Sequence, residues 1–439
     1  MGNNSGKPGE RSIRVNEADL PDLQRVFEQI GGGKKIKEHE LTNFWSSHIS
    51  QYLLKGICHC LFVQDNHRVQ TIDFKTFIEL YGAIVGNDID AKTSVIFACT
   101  STCTTSDMPY DILVKFVESV INSFYKLQHI GSQDEYISWE KNGHRACTDI
   151  VSRFAEHLTH DIYKKDTKTL NYDEIEKWLA FNPAFLKMFE SVFYHLYHNR
   201  PNRNYGKELL PVCKDLPAEK FPKLLDMSQV LFVNSGIPME YRTEWRFLFS
   251  SMLHGESFST LLGKVLHKGP SVIFVQDEDG YIFGGFASAS LTLSPNFVGT
   301  ENAFLFGLTP RMFSCTTTGY NDHYQYLNLH QQTMPNGLGM GGQFDYWGLW
   351  LDSEYGIGSS SESCTTFKGY QQLSGKKNFK IRNIEVWAVG DPKLHQPESD
   401  DEEGIGGGRS ILDKNAEDKA MLEMIGKGQH SDGLREPQE

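Results

Sequence analysis

Ser271-Val-Ile-Phe-Val-Gln276 and Tyr281-Ile-Phe-Gly-Gly285, set on either side of Asp279-Gly280, decide how the second half of this chain folds. Both runs are rich in β-branched and aromatic residues, and the Asp-Gly pair between them tolerates the positive φ of a tight hairpin turn. Outward from that hairpin, further strands are expected at Phe304–Leu308, Tyr324–Leu329, Phe344–Leu351 and Phe379–Val389. Short apolar strands with glycine-rich turns between them favour a sandwich over a parallel sheet. Just upstream, Phe258, Leu261, Leu262, Val265 and Leu266 form a helical stripe, which Ser257 caps and Lys264, His267, Lys268, Gly269 and Pro270 bring to a stop. A second helix is expected before it, over Glu244–Leu253.

Towards the N-terminus the apolar spacing becomes that of helices. Leu23, Val26, Phe27 and Ile30 share one face, and Gly31-Gly32-Gly33 ends the segment. Two connecting loops have the outline of EF-hands, with Ile36 and Ile72 in the central apolar place. The first keeps Glu40 at its last ligand position but has Gln29, Gly31 and Gly33 where carboxylates belong; the second keeps Asp65 and Asp73 but has His67, Val69 and Thr76. Neither can assemble the roughly six to eight oxygens that calcium takes, so calcium sensing is not expected.

At 439 residues and 39% hydrophobic content, the chain can bury two cores, because single cores stop growing at roughly 250 to 300 residues. Residues 201–223, with four prolines, read as a linker. The organisation is therefore a flexible N-terminus (1–15), a helical EF-hand-like domain (16–200), that linker, a strand-rich domain (224–391), an acidic glycine-rich linker (392–409) and a last helix with its tail (410–439). In the last segment Ala416, Ala420, Met421, Met424 and Ile425 share a face, with Asn415 and Gly426 as start and stop. The fold class is α+β.

A formal net charge of -13 argues against broad nucleic-acid binding and for protein partners. No apolar run approaches the roughly 18 residues that span a bilayer, so a cytosolic setting is expected. The eight cysteines are too scattered for a disulfide framework. The pairs Cys58/Cys60, with His59 between them, and Cys99/Cys103 lack the C-x-x-C spacing of a metal site; they read as buried or half-buried thiols on helices, with no metal or cofactor expected. At the N-terminus Gly2 nearly matches a myristoylation signal, but the hydroxyl stands at Ser5 and Gly6 holds its slot. One acyl chain anchors only marginally, and Lys7, Arg11 and Arg14 offer a thin basic patch beside it.

Six further motifs are Phe283-Gly-Gly-Phe-Ala-Ser288, Thr318-Gly-Tyr-Asn321, Gly337-Leu-Gly-Met-Gly-Gly342, Gly348-Leu-Trp-Leu-Asp352, Cys364-Thr-Thr-Phe367 and Ile384-Glu-Val-Trp387. In this order and spacing the set resembles the TLDc-domain family over about Leu224–Asp391. A Met-Gly start, the degenerate EF-hand-like half, and tail motifs Ser410-Ile-Leu-Asp413 and Gly433-Leu-Arg-Glu436 resemble the lysosomal, mTOR-associated members of that family. The resemblance implies a TLDc β-sandwich flanked by helices. It also implies a non-enzymatic adaptor that binds the peripheral, ATP-hydrolysing sector of the V-type proton ATPase and supports mTOR signalling and lysosomal function. Its place would be the cytosolic face of the lysosomal membrane, helped by a myristate on Gly2. Relatives linked to oxidation resistance imply the alternative, an oxidative-stress protein with thiol- or His-based catalysis.

Residues that could carry chemistry are few. Cys315, Asp322 and His323 are the types needed for nucleophile, orienter and base, yet no nucleophile elbow surrounds them. Asn321, Asp322 and His323 read better as a hydrogen-bonded turn or a contact surface. Met421, Met424 and Ile425 are a second candidate contact, on a helix that the preceding linker lets reach a partner. Gly337, Gly339, Gly341 and Gly342 lack the Lys-Ser/Thr of a phosphate loop and read as a glycine-rich turn, and Gly284 and Gly285 belong to the same structural motif set. Glu385 and Trp387, on one face of a strand, read as a buried carboxyl beside a core-filling indole.

Overall fold

The structure, a computed structural model, describes residues 15–64, 67–100, 107–131, 148–163, 168–199, 209–213, 216, 222 and 224–391. The chain divides into two compact units between Leu209 and Leu210.

In the first unit, α1 (Leu20–Gly31) buries Leu23, Val26, Phe27 and Ile30, and ends where Gly32 turns left-handed at φ 66° and its N–H donates to the Glu28 carbonyl. With α2 (Glu38–Trp45), α3 (Gln51–Phe62) and α4 (Phe74–Val85) it makes two helix–loop–helix hands, and Ile36 and Ile72 pair directly in a two-residue antiparallel ladder between their loops. The surviving carboxylates of these loops serve the backbone. Glu40 accepts from the Lys37 N–H at 2.8 Å and Asp73 from the Thr76 N–H at 2.9 Å, so both cap the helices they start.

The arrangement then repeats. Helices α5 (Ile89–Thr100), α6 (Tyr110–Gly131), α7 (Thr148–Thr159) and α8 (Tyr172–Ala180) flank a second ladder that pairs Met108 with Leu170. This second pair of hands is hard to read from the sequence because one strand of its ladder is only Met108-Pro109, and a proline marks a segment down as a strand. Among the described residues no cluster of His, Cys, Asp and Glu is arranged to hold a metal ion. One helix, α9 (Pro183–His198), serves both pairs. Its Tyr197 ring lies 4.4 Å from Phe77 of α4, and its Phe189 ring 5.7 Å from Phe116 of α6.

In the second unit, α10 (Met227–Gly236), α11 (Ser251–His254) and α12 (Phe258–Val265) accompany eleven strands. Numbering only the strands of this sheet, they are β1 (Trp245–Ser250), β2 (Ser271–Asp277), β3 (Ile282–Ala287), β4 (Ser294–Val298), β5 (Phe304–Thr309) and β6 (Phe313–Thr316). The remainder are β7 (Gln325–Asn328), β8 (Gly337–Gln343), β9 (Tyr346–Asp352), β10 (Ile357–Ser359) and β11 (Asn378–Val389). The ladder runs β4-β7-β8-β9-β10-β11-β2-β3-β5-β6, with β1 also on β11. It doubles back on itself as two facing layers. A Cβ on Gly285 of β3 would lie 2.5 Å from the Met340 sulfur of β8, and one on Gly348 of β9 would lie 2.9 Å from Leu305 of β5. Ile273, Val275, Phe283, Leu305, Leu338, Met340, Leu349 and Leu351 fill the space between the layers.

Two expectations are corrected here. Glu244–Leu253 is not a helix: Trp245–Ser250 is strand β1, paired to β11 with Trp245 and Phe249 buried, and only the single turn α11 follows. Tertiary pairing overrides local helical preference at such a site. Gly337–Gly342 is not a turn but the body of β8, buried along its length. Its glycines make room for rings: a Cβ on Gly339 would come within 2.4 Å of Trp347, and one on Gly341 within 2.5 Å of Phe367.

The segment Leu224–Asp391 is expected to fold alone, with near-UV circular dichroism and a two-state thermal transition. A segment beginning at Leu210 is expected to melt several degrees higher, because Val212 donates to the Thr243 carbonyl at 2.9 Å and accepts from the Trp245 N–H at 3.0 Å, tying down the start of β1. Equal melting temperatures for the two fragments would contradict that role.

Candidate functional site

The loop from Thr318 to Tyr324 joins β6 to β7 and is fixed from several sides. The Thr318 hydroxyl donates to the Thr365 carbonyl at 2.7 Å, and the Asn321 amide donates to the Thr365 hydroxyl at 3.2 Å. Asn321 Oδ1 accepts from the Thr366 hydroxyl at 2.8 Å and from the His323 N–H at 3.3 Å. The Gly342 N–H in turn donates to Thr366 Oγ1 at 2.8 Å, and the Gly341 N–H to the His323 carbonyl at 3.0 Å. His323 Nδ1 lies 2.5 Å from the Gly342 carbonyl, so that nitrogen carries the proton and donates, while the ring stacks on Phe297 at 4.2 Å. Asn321 and His323 are thus spent on holding the loop to β8 and to the Cys364–Phe367 segment. What the loop presents outward is Tyr320, 86% exposed, and the exposed Asp322.

Cys315 is not part of that surface. It lies on β6, wholly buried, with its thiol directed at the Gly369 carbonyl at 3.6 Å. Burial pushes it up to about 11. Such a thiol stays protonated and unreactive near neutral pH. The structure therefore does not bring Cys315, Asp322 and His323 together: the thiol faces the core, the imidazole is engaged with Gly342, and the carboxylate points to solvent. Sequence reasoning carried Tyr320 only within the Thr318-Gly-Tyr-Asn321 motif and did not single it out; the structure shows that its backbone is held while its ring is left out.

The glycines of the motif set act through space. A Cβ on Gly284 would stand 1.9 Å from the Ile273 carbonyl, and one on Gly342, where φ is 83°, 2.0 Å from the Tyr346 carbonyl. Gly337 lies against the Trp350 ring, 2.5 Å from where its Cβ would be. Glu385 stands in the middle of β11, opposite Ser250 of β1 and Phe274 of β2, with 1% of its surface exposed. Its Oε1 accepts from the Leu224 N–H at 3.2 Å. Burial drives its carboxyl up to about 8, against the pull of that amide and of the Trp387 indole N–H. Trp387 packs with Trp245 and Phe247 at 6.3 and 5.1 Å. Gly2, Met421, Met424 and Ile425 lie outside the described residues.

A profile of the TLDc domain matches residues 219–390. The chain is 36% identical over 467 aligned positions to the MTOR-associated protein MEAK7 of Xenopus laevis, covering 99% of this chain and 98% of that protein. It is 39% identical over 377 positions to the protein of the same name from Gallus gallus, covering 82% of this chain and 78% of that one. To oxidation resistance protein 1 of Bos taurus it is 32% identical over 192 positions, 42% of this chain and 21% of that protein. None of these three carries the name of an enzyme.

Glu385 gives the second unit a specific pH dependence. Its ordinary value is 4.5, and below it the folded and unfolded chains both hold the proton, so the stabilising contribution is complete. As pH rises from about 4.5 to about 8, the unfolded chain releases the proton and the folded one keeps it, so stability falls by up to about 1.4 kcal/mol per pH unit. Glu385→Gln is expected to lack this component. Urea unfolding of both proteins across that range measures it: the variant gains on the parent as pH rises, and parallel curves would contradict the assignment.

Proposed function

The chain belongs to the TLDc-domain family, within the group of mTOR-associated MEAK7 proteins, and on that premise we propose that it is a non-enzymatic adaptor of the mTOR pathway. In this reading it works at the cytosolic face of the lysosomal membrane, binds the peripheral sector of the V-type proton ATPase, and supports mTOR signalling and lysosomal function. The observation that carries the reading is the Thr318–Tyr324 loop, whose polar side chains Asn321 and His323 are consumed in fixing it while Tyr320 and Asp322 face outward. A loop ordered before binding loses little freedom on docking, and a projecting tyrosine is a frequent centre of interface energy. The buried, protonated Cys315 supports an adaptor over an antioxidant enzyme that would use that thiol.

The segment 410–439 supplies a second contact through Met421, Met424 and Ile425, and Gly2 supplies a weak acyl anchor. Two modest contacts joined by the acidic, glycine-rich linker bind far more tightly than either alone, because the second association is intramolecular.

Affinity capture from lysosomal membranes tests this. The full-length chain is expected to bring down the peripheral ATPase subunits in stoichiometric amount. Tyr320→Ala is expected to weaken capture about tenfold, the effect of losing roughly 1.4 kcal/mol of contact. Met421→Asp with Ile425→Asp is expected to weaken it independently, and Cys315→Ala to leave it unchanged. Capture without ATPase subunits, or capture indifferent to both contact variants, would overturn the proposal.

A further inference from the structure

Helix α3 carries Cys58 and Cys60 on different faces, since residues two apart in a helix point in widely separated directions. Cys58 is buried against α2, 3.6 Å from the Thr42 hydroxyl, and burial pushes its thiol up. Cys60 faces α5. One turn before it stands Gly56, where a Cβ would lie 2.6 Å from the Cys99 carbonyl oxygen and 3.1 Å from the Cys99 Cβ. The absence of a side chain at Gly56 is what lets α3 and α5 approach so closely. Helical side chains lean towards the N-terminus, so the Cys60 thiol reaches back over the Gly56 turn to the place where the Cys99 side chain begins. The two thiols are neighbours at this α3–α5 contact, and His59 Nδ1 meets the Ala98 carbonyl at 3.1 Å alongside.

The two sulfurs differ in access. Cys99 is buried, whereas Cys60 is half-buried and lines a cleft of about 380 Å³ with Ala83, Asp88, Ser94 and Ala98. Small, weakly obstructing side chains make most of that lining, so a small molecule reaches Cys60 and not Cys99. The neighbouring Cys99 thiol holds Cys60 below its ordinary value despite burial, and the same interaction together with desolvation holds Cys99 well above.

We propose that Cys60 and Cys99 are a peroxide-responsive dithiol, with Cys60 the attacking sulfur, Cys99 the resolving one, and hydroperoxides the class of oxidant. The Cys60 thiolate attacks one peroxide oxygen. A sulfur–oxygen bond forms, the oxygen–oxygen bond breaks, and the departing oxygen takes up the proton Cys60 released, leaving as water or an alcohol. Cys60 is then a sulfenic acid. Cys99 sulfur next attacks Cys60 sulfur: the disulfide forms, the sulfur–oxygen bond breaks, and the hydroxyl leaves with the Cys99 proton as water. Two thiols are oxidised by two electrons and one peroxide is reduced. The product staples α3 to α5, which belong to different pairs of hands. This reading uses residues of the first unit only and does not depend on the adaptor function.

The test treats the reduced full-length chain with hydrogen peroxide and maps its thiols by tryptic mass spectrometry. Fragment spectra are needed because Cys58 and Cys60 share one tryptic peptide and Cys99 and Cys103 another. A Cys60–Cys99 link that a thiol reductant reverses is expected, and in the unmutated chain Cys60 is expected to react about tenfold faster than the half-buried Cys364, whose thiol burial pushes up. Cys99→Ser is expected to leave Cys60 as a sulfenic acid that dimedone traps, Cys60→Ser to abolish both products, and Cys58→Ser to change neither. A link through Cys58 or Cys103 overturns the proposal. So does a Cys60 that reacts no faster than Cys364, a measurement that needs no variant.

Discussion

Strand β11 is shared by both layers of the second unit, and the sandwich closes only because one chain segment can belong to both. Asn378, Phe379 and Lys380 pair with β10 in one layer, and the stretch from Ile381 to Val389 pairs with β2 on one edge and β1 on the other. Ile384, Val386, Trp387, Ala388 and Val389 are all buried. Each large apolar side chain of that kind contributes about 1.5 to 3 kcal/mol when taken out of water. Glu385 interrupts the run and survives there because a neutral, hydrogen-bonded carboxyl costs far less to bury than a charged one.

The rest of the sandwich depends on how closely the two layers can approach, and small residues set that distance. Gly285 leaves room for Met340 and Gly348 for Leu305, while Gly339 and Gly341 of β8 receive the Trp347 and Phe367 rings. The Thr318–Tyr324 loop inherits its rigidity from this packing. Its anchors, Gly341, Gly342 and Thr366, sit on or beside the buried glycine strand, so the backbone under Tyr320 is held by the core. Gly56 plays the corresponding part in the helical unit, where it lets α5 close on α3.

The sequence carried the parts of the fold that rest on local grammar. The Asp279-Gly280 hairpin, the Phe258–Val265 helix with its Ser257 cap, and the Ile36/Ile72 pairing follow from turn chemistry, capping and periodicity, and all are present. What it did not carry depends on partners far away in the chain. Trp245–Ser250 is a strand because β11 lies beside it, and Ser294–Val298, with Pro295, is an edge strand with little apolar pattern of its own. Gly337–Gly342 reads as a turn until the rings that cover it are known. The candidate site divides the same way. Asn321, Asp322 and His323 were legible as a constrained loop from residue type, but that two of them face inward, and that Tyr320 rather than His323 is the projecting group, follows only from the hydrogen bonds to Thr365, Thr366 and Gly342.

The central claim is that the constrained loop is a surface for contact, and proximity labelling from its tip tests it most directly. A photoreactive phenylalanine analogue in place of Tyr320, in the full-length chain bound to lysosomal membranes, should cross-link on illumination to a subunit of the peripheral ATPase sector. The same analogue in place of Phe181, an exposed aromatic of the helical unit, should not. Cross-links from position 181 and none from position 320 would contradict the account.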